Sequence, residues 1–130
     1  MVLASCGASE SQVKPSDERK NELRNTDCEW GPETTSRAFN RFAADGVLKQ
    51  ATDRAASCGL HSNDRFDLSL NMSWGHPGCV AWVSLEAELP NKISECLLRR
   101  FESATVPPFS GVLPSVQVRM TNDRAWWTWL

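Results

Sequence analysis

The feature that most constrains the fold is a regular alternation of apolar and polar residues between Phe66 and Trp74. A period of two over nine residues predicts a strand in a sheet with one buried face and one face in water. Glycine and proline at 75–78 predict a turn, and 79–85 predicts the returning strand of a hairpin. The apolar positions are Phe66, Leu68, Leu70, Met72 and Trp74, and the polar ones are Asp67, Ser69, Asn71 and Ser73.

Two amphipathic helices are predicted, one before and one after this hairpin. The first has Asn40 as its N-cap candidate and ends at Gly59, because glycine is preferred just past a helix end. The second has Asn91 as its N-cap candidate and ends before Pro107, since proline cannot continue a helix. Apolar residues recur at helical spacing at Ala43, Val47, Leu48, Ala51, Ala55 and Cys58, and again at Ile93, Cys96, Leu97, Phe101 and Ala104, with Arg99, Glu102 and Ser103 expected outside.

The C-terminal part predicts one or two further strands. Val116, Val118 and Met120 alternate with polar residues, and 125–130 either extends this strand or forms a fourth one. The chain is therefore expected to be an α+β domain in the order helix-strand-strand-helix-strand. Its two helices are expected to pack on one face of a small antiparallel sheet of three to four strands.

The first residues indicate where in the cell the protein is located. Leu3-Ala4-Ser5-Cys6 resembles the lipobox of bacterial lipoproteins, which implies cleavage before Cys6 and a diacylglycerol anchor on its thiol. An export signal needs a basic stretch and an apolar stretch of about 7–15 residues before this point. We therefore expect the true start to lie upstream of Met1, in a protein anchored in the bacterial envelope and facing the periplasm. The alternative is a cytosolic protein with a frayed N-terminus.

A flexible tether is expected to follow the lipobox. Segment 7–27 is polar, and its only large apolar residues are Val13 and Leu23, which bury too little surface to offset the chain entropy. We therefore divide the chain into a signal remnant and tether at 1–27 and a single domain at 28–130, with a regular core at about 39–121.

The number of cysteines agrees with a location in the bacterial envelope. Five cysteines leave an odd thiol in a secreted protein, and lipidation of Cys6 would account for it. The other four allow three pairings, and disulfides persist in oxidising compartments such as the periplasm. The alternative is a set of four reduced core cysteines, because free cysteine is often buried. The four are Cys28, Cys58, Cys79 and Cys96.

Several classes of function are not indicated. The net charge of −2 argues against nucleic acid or anionic lipid as a partner, and no apolar stretch approaches the ~18 residues of a membrane span. The histidines, His61 and His76, fall in predicted turns and are expected to be exposed to solvent rather than catalytic. No zinc-binding spacing, phosphate-binding loop or serine nucleophile motif is present. We expect no enzyme activity, metal site, cofactor or small-molecule substrate.

An ordered set of features carries a resemblance to a known family. Its parts are Phe39-Asn40-x-x-Ala43-Ala44, a helix ending in Cys58, the hairpin with Gly78, a helix bearing Cys96, and Val106-Pro107-Pro108-Phe109-Ser110-Gly111 before a last strand. Over about 39–120 the chain resembles the AgmX/PglI C-terminal-type domains of myxobacteria and, more distantly, the TonB C-terminal domain. The resemblance implies a periplasmic α+β domain in which Cys58 pairs with Cys96. By elimination Cys28 pairs with Cys79, although a free, buried Cys79 remains the alternative.

Two hypotheses about function follow. The first is a non-enzymatic envelope lipoprotein whose domain binds an unknown envelope protein or has a structural role, and which touches the membrane only through Cys6. Its expected contact surface is a sheet edge together with Trp126, Trp127 and Trp129, because tryptophan is enriched at interface hot spots and open edges accept added strands. Alternatively, at least two of these tryptophans fold back over the open sheet face. The second hypothesis is an envelope thiol/disulfide redox protein that uses Cys79.

Overall fold

The computed structural model describes residues 21–60 and 66–130. Cys6, the lipobox, most of the expected tether and His61 lie outside the described residues. A 3-10 turn, Ala56–Cys58, directly follows the helix Arg41–Ala55. The elements are β1 (Glu22–Arg24), α1 (Thr26–Glu29), α2 (Arg41–Ala55), β2 (Asp67–Trp74), β3 (Val80–Glu86), α3 (Asn91–Glu102), β4 (Ser115–Thr121) and β5 (Ala125–Trp129).

The described residues form an α+β domain around one five-stranded antiparallel sheet in the order β1-β3-β2-β4-β5. The predicted fold class is confirmed, and the predicted order appears in α2, β2, β3, α3 and β4. The expected count of three to four strands is wrong, because the strand β1 precedes the first long helix; of the two alternatives for 125–130, the separate strand is the one observed. The residues 122–124 turn the chain between β4 and β5, so the C-terminal segment returns beside β4 instead of extending it.

The unexpected strand is β1, which lies within the segment expected to be a tether. Leu23 is 4% exposed and lies opposite Val83 of β3. The ladder continues on both sides, since Leu85 donates to the carbonyl of Asn21 over 2.8 Å and Asn25 donates to that of Ala81 over 2.9 Å. A three-residue strand with one buried side chain carries no detectable periodicity, which is why the sequence did not predict it. The fold therefore begins before the expected boundary at residue 28.

The core lies between the sheet and the two long helices. The inward side chains of β2, at Leu68, Leu70, Met72 and Trp74, are each at most 1% exposed, as the alternation predicted. The buried apolar residues of α2 and α3 belong to the same cluster as these side chains. One face of the sheet is thus covered and the other carries the polar residues of β2.

The predicted cap of α2 is confirmed and that of α3 is wrong. Asn40 Oδ1 accepts a hydrogen bond from the Ala43 N–H over 2.9 Å. Asn91 is instead the first residue of α3, and Pro90 occupies the cap position without a side-chain bond. Glu102 was expected outside but is 8% exposed, because it lies four residues after the buried Leu98 and therefore shares its side of the helix.

Two disulfides join parts of the chain that are distant in sequence. Cys58, just after α2, is bonded to Cys96 on α3. Cys28 on α1 is bonded to Cys79, the residue before β3. The first bond fastens the two long helices together, and the second fastens α1 to the β2–β3 turn. Cys79 is therefore bonded in this structure and not a free thiol.

Candidate docking surface at the β5 edge

Strand β5 is held in place by a hairpin with β4. The register pairs Val116 with Trp129, Val118 with Trp127, and Arg119 with Trp126. Val116 and Val118 are fully buried and point towards the helices. Because side chains alternate along a strand and directly opposed residues share a face, Trp127 and Trp129 lie on the helix side and Trp126 lies on the open face. The structure therefore divides the three predicted tryptophans between two faces.

Trp129 is a partly buried member of an aromatic cluster. Its ring centroid lies 5.6 Å from that of Phe39 and 5.7 Å from that of Trp74. The guanidinium carbon of Arg41 lies 4.6 Å from the Trp129 ring centroid, which is a cation–π distance. Trp127 packs against the same core and donates from Nε1 to Asp45 Oδ1 over 2.9 Å. These two tryptophans fold inwards, as the alternative interpretation held, but onto the helix-covered face and not the open one.

Trp126 lies beside two arginines on the open face. The guanidinium carbons of Arg124 and Arg119 lie 4.4 Å and 5.9 Å from its ring centroid. Arg119 also donates from Nη2 to Asp67 Oδ1 over 3.2 Å, which ties this group to β2. Trp126 therefore contacts two arginine side chains, and among the described residues it makes none of the ring contacts that hold the core cluster together.

The backbone of β5 presents an unpaired edge. Thr121 donates to the Arg124 carbonyl over 2.9 Å, and Leu130 donates to the Ser115 carbonyl over 3.0 Å. Hydrogen-bonded pairs alternate with non-bonded pairs in an antiparallel ladder. The N–H and C=O groups of Trp126 and Thr128 therefore point to β4, and those of Ala125, Trp127 and Trp129 point outwards. Within residues 21–60 and 66–130, no strand pairs with this outer side of β5.

The open face of the sheet next to Trp126 is polar. Polar side chains of β2 and β4 form its middle, with Ser69, Asn71, Ser73 and Gln117 at positions that face away from the helices. Trp82 marks its far side, where its Nε1 donates to Glu22 Oε2. The bond between this second open-face tryptophan and β1 was not predicted from the sequence, because β1 itself was not predicted.

His76 was expected to be exposed, and the structure corrects this. Its side chain is 18% exposed, and its Nε2 lies 2.6 Å from the Gly111 carbonyl oxygen and 3.2 Å from Glu33 Oε2. Glu33 Oε2 also accepts the Gly111 N–H over 2.9 Å. The ring packs edge-on against Phe109 at 5.2 Å. The loops that carry Glu33 and Gly111 cover this turn residue. The sequence of the turn itself does not reveal that these distant loops lie over it.

Over residues 21–60 and 66–130, no group of three or more His, Cys, Asp or Glu side chains is arranged to hold a metal ion. In the same ranges, no helix is both long and apolar enough to cross a membrane. A cleft of about 300 Å³ lies at the far end of β4 and β5 from Trp129, between α2 and the 122–124 turn, and its walls include Asp53, Phe66 and Arg124. It contains none of the residues predicted to be functional.

The inward and outward tryptophans should differ in their effect on stability. Trp129→Ala is expected to lower the free energy of unfolding by about 2–3 kcal/mol, because it removes the contacts with Phe39 and Trp74 from a partly buried site. Trp126→Ala is expected to cost less, about 1 kcal/mol, since Trp126 lies outside the core and its ring contacts are cation–π contacts with Arg119 and Arg124. Urea unfolding followed by far-UV circular dichroism measures both values. Equal losses would contradict the division of the tryptophans between the core-facing side and the open face of the sheet.

Comparison of the chain with protein-family models, with curated proteins and with solved structures found no match. The assignment of a role therefore depends on the geometry of the β5 edge and its tryptophans.

Proposed function

We propose that this domain is a non-enzymatic protein-binding module of the bacterial envelope that takes up an extended segment of a partner protein along the outer edge of β5. The observation that carries this proposal is the outward-pointing backbone of Ala125, Trp127 and Trp129, which no described strand pairs with. An extended peptide that adds to a sheet edge gains main-chain hydrogen bonds, and its alternate side chains give specificity.

The side chains around this edge suit a peptide with apolar residues. A strand added to β5 places alternate side chains beside Trp126 on the open face and beside Trp127 and Trp129 on the other. Tryptophan contributes a large contact area at interface hot spots. Trp126 contacts its neighbours mainly through two arginines, so it can form further contacts without disturbing the core. We therefore expect bound peptides to carry an apolar residue opposite Trp126.

The envelope location is part of the same proposal. Two disulfides favour an oxidising compartment, since such bonds are rare in reducing cytosol. The lipobox-like Leu3-Ala4-Ser5-Cys6 would then provide the lipid anchor on Cys6, with the true start upstream of Met1. The likeness of 39–120 to AgmX/PglI C-terminal-type domains and, more distantly, to the TonB C-terminal domain stays part of the proposal.

No observation favours the redox alternative. Its candidate nucleophile, Cys79, is bonded to Cys28, whose side chain is only 2% exposed. A thiol that exchanges disulfides needs an accessible sulfur and an environment that stabilises its thiolate. The binding module is therefore the better-supported function.

Selection of peptides on the domain tests the proposal. A displayed library of random linear peptides is selected on the wild-type domain, and the Kd of the enriched peptides is measured for edge variants. Ala125→Pro removes an outward N–H of β5 and adds a ring at the free edge, while proline is tolerated where the N–H faces solvent. We expect binding to weaken about tenfold or more, which corresponds to about 1.4 kcal/mol.

The matched control blocks the opposite edge of the sheet. Arg24 of β1 also has its N–H directed away from its neighbouring strand, because the bonded pairs fall at Asn21 and Asn25. Arg24→Pro should leave peptide affinity unchanged. Selected peptides that bind Ala125→Pro as tightly as the wild type would show that the β5 edge is not the docking site.

A further inference from the structure

Exposed apolar side chains are concentrated at one end of the sheet. Trp30 is 79% exposed, Phe42 88% and Val112 91%. A side chain that packs against the surface of its own domain is much less exposed than these three. The large hydrophobic residues described as exposed are Trp30, Phe42, Val112, Leu113 and Leu130, and we call them the loop-end patch.

The sheet register places these residues at the same end. Trp74 at the end of β2 lies opposite Val80 at the start of β3, and Ser73 lies opposite Ser115 at the start of β4. Leu113 directly precedes this start of β4. Leu130 follows β5, and its N–H donates to the Ser115 carbonyl over 3.0 Å. Phe42 lies in the first turn of α2, next to Arg41, which stacks on Trp129 at the same end of β5.

Contacts between loops hold the segments that carry Trp30 and Val112 in place. A Cβ on Gly31, next to Trp30, would collide with the ring of Pro77, so the two segments lie in close contact. Gly111, next to Val112, is bonded to Glu33 and lies within hydrogen-bond distance of His76. Further bonds run from Val106 to Gly78, from Phe109 to His76 and from Ser110 to Arg37, each 3.0 Å or shorter. The side chains at Trp30 and Val112 therefore project from loops that are hydrogen-bonded or packed against one another.

The charged residues around the patch balance one another. The cations are Arg24, Arg37 and Arg41, and the anions are Asp27, Glu29 and Glu33. Three positive and three negative charges give this end of the described domain no net attraction to an anionic surface. At the opposite end none of the described large hydrophobic residues is exposed, and the exposed residues there include Glu86, Glu88, Asp123 and Arg124. The domain thus has an apolar end and a polar end.

We infer that the loop-end patch inserts shallowly into the surface of a lipid bilayer, with the polar end of the domain in water. The apolar side chains project from separate segments, and a fluid hydrocarbon phase can surround each of them without a complementary groove. Tryptophan is favoured at the boundary between headgroups and acyl chains. Balanced charges allow the patch to enter zwitterionic membranes. This contact is distinct from the β5 edge and from the lipid anchor on Cys6.

Vesicle flotation tests this inference on the full chain carrying Cys6→Ser, which excludes any contribution of a lipid anchor. We expect the protein to float with pure phosphatidylcholine vesicles, with little effect of added phosphatidylglycerol or salt. Phe42→Ser and Val112→Ser should each lower the partition coefficient about tenfold, since each removes an apolar side chain from the bilayer. Trp30 emission should shift to shorter wavelength on binding, and Trp30→Phe should abolish that part of the shift.

Two controls separate this inference from the proposed function and from a loss of folding. Glu88→Ser changes an exposed residue at the opposite end, and Ala125→Pro blocks the β5 edge; both should leave flotation unchanged. Far-UV circular dichroism checks that Phe42→Ser and Val112→Ser are folded. Failure to float, or flotation only with anionic lipid at low salt, would overturn the inference. A dimer in sedimentation velocity that Val112→Ser dissociates would also overturn it, by assigning the patch to a second copy of the chain.

Discussion

Replacing Cys58 and Cys96 together by alanine is expected to lower the free energy of unfolding by about 4 kcal/mol. The bond joins residues separated by 38 positions, so its removal frees a long loop in the unfolded chain. It also removes the covalent link between the end of α2 and α3, whose buried faces share one core. Because a domain of this size has a total stability of about 5–15 kcal/mol, the loss is a large part of the whole.

Urea unfolding of the double variant measures this effect. The matched variant lacks Cys28 and Cys79, which are separated by 51 residues, and the same chain-entropy reasoning gives it a loss of about 4 kcal/mol. This second variant also affects the loop end, because Cys28 packs against Gly75 there. A loss below about 1 kcal/mol in either variant would show that the bond is not formed in the native protein or does not constrain the unfolded chain.

Gly78→Ala is expected to destabilise the domain by about 3–5 kcal/mol. Gly78 has a φ of 101°, a left-handed conformation that side-chain-bearing residues adopt only at a cost. A Cβ at this position would also collide with the Val106 carbonyl oxygen. The displacement would break the 2.8 Å hydrogen bond from the Val106 N–H to the Gly78 carbonyl, which holds the β2–β3 turn against the segment before β4.

The matched control for this substitution is Gly46→Ala. Gly46 lies within α2, and apart from its chain neighbours and the backbone of its own helix no atom lies within 4 Å of a Cβ built on it. Alanine is favoured over glycine in a helix by roughly 0.5–1 kcal/mol, so this variant should be more stable than the wild type. Thermal unfolding of the two variants gives opposite signs if the close approach at Gly78 is as described. Equal and small effects would contradict it.

The elements with a strong periodic signal were predicted well. The alternation from Phe66 to Trp74 corresponds to β2, and the helical spacing around Leu48 and Leu97 corresponds to α2 and α3. These patterns succeed because one face of each element is buried against a shared core, which imposes the period on the sequence. The hairpin turn was predictable for the same local reason, since Gly78 is required by its conformation.

The features that were missed depend on contacts between distant segments. Leu23 gives β1 only one buried side chain, and the strand exists because β3 offers a partner edge. His76 is covered by Glu33 and Gly111, which are far from it in sequence. The tryptophans near the C-terminus were recognised as a cluster, but their division between two faces follows from the register with β4. Register is set by pairing, which no local pattern in 125–130 reveals.

Amide hydrogen exchange, followed residue by residue by NMR, tests most directly whether β5 is an open docking edge. In the free protein, the amides of Trp127 and Trp129 should exchange faster than those of Trp126 and Thr128, because only the latter point to β4. A bound peptide selected on the domain should then protect Trp127 and Trp129 while leaving Arg24 of β1 unchanged. Strong protection of Trp127 and Trp129 in the free protein, or no added protection in the complex, would contradict the proposed function.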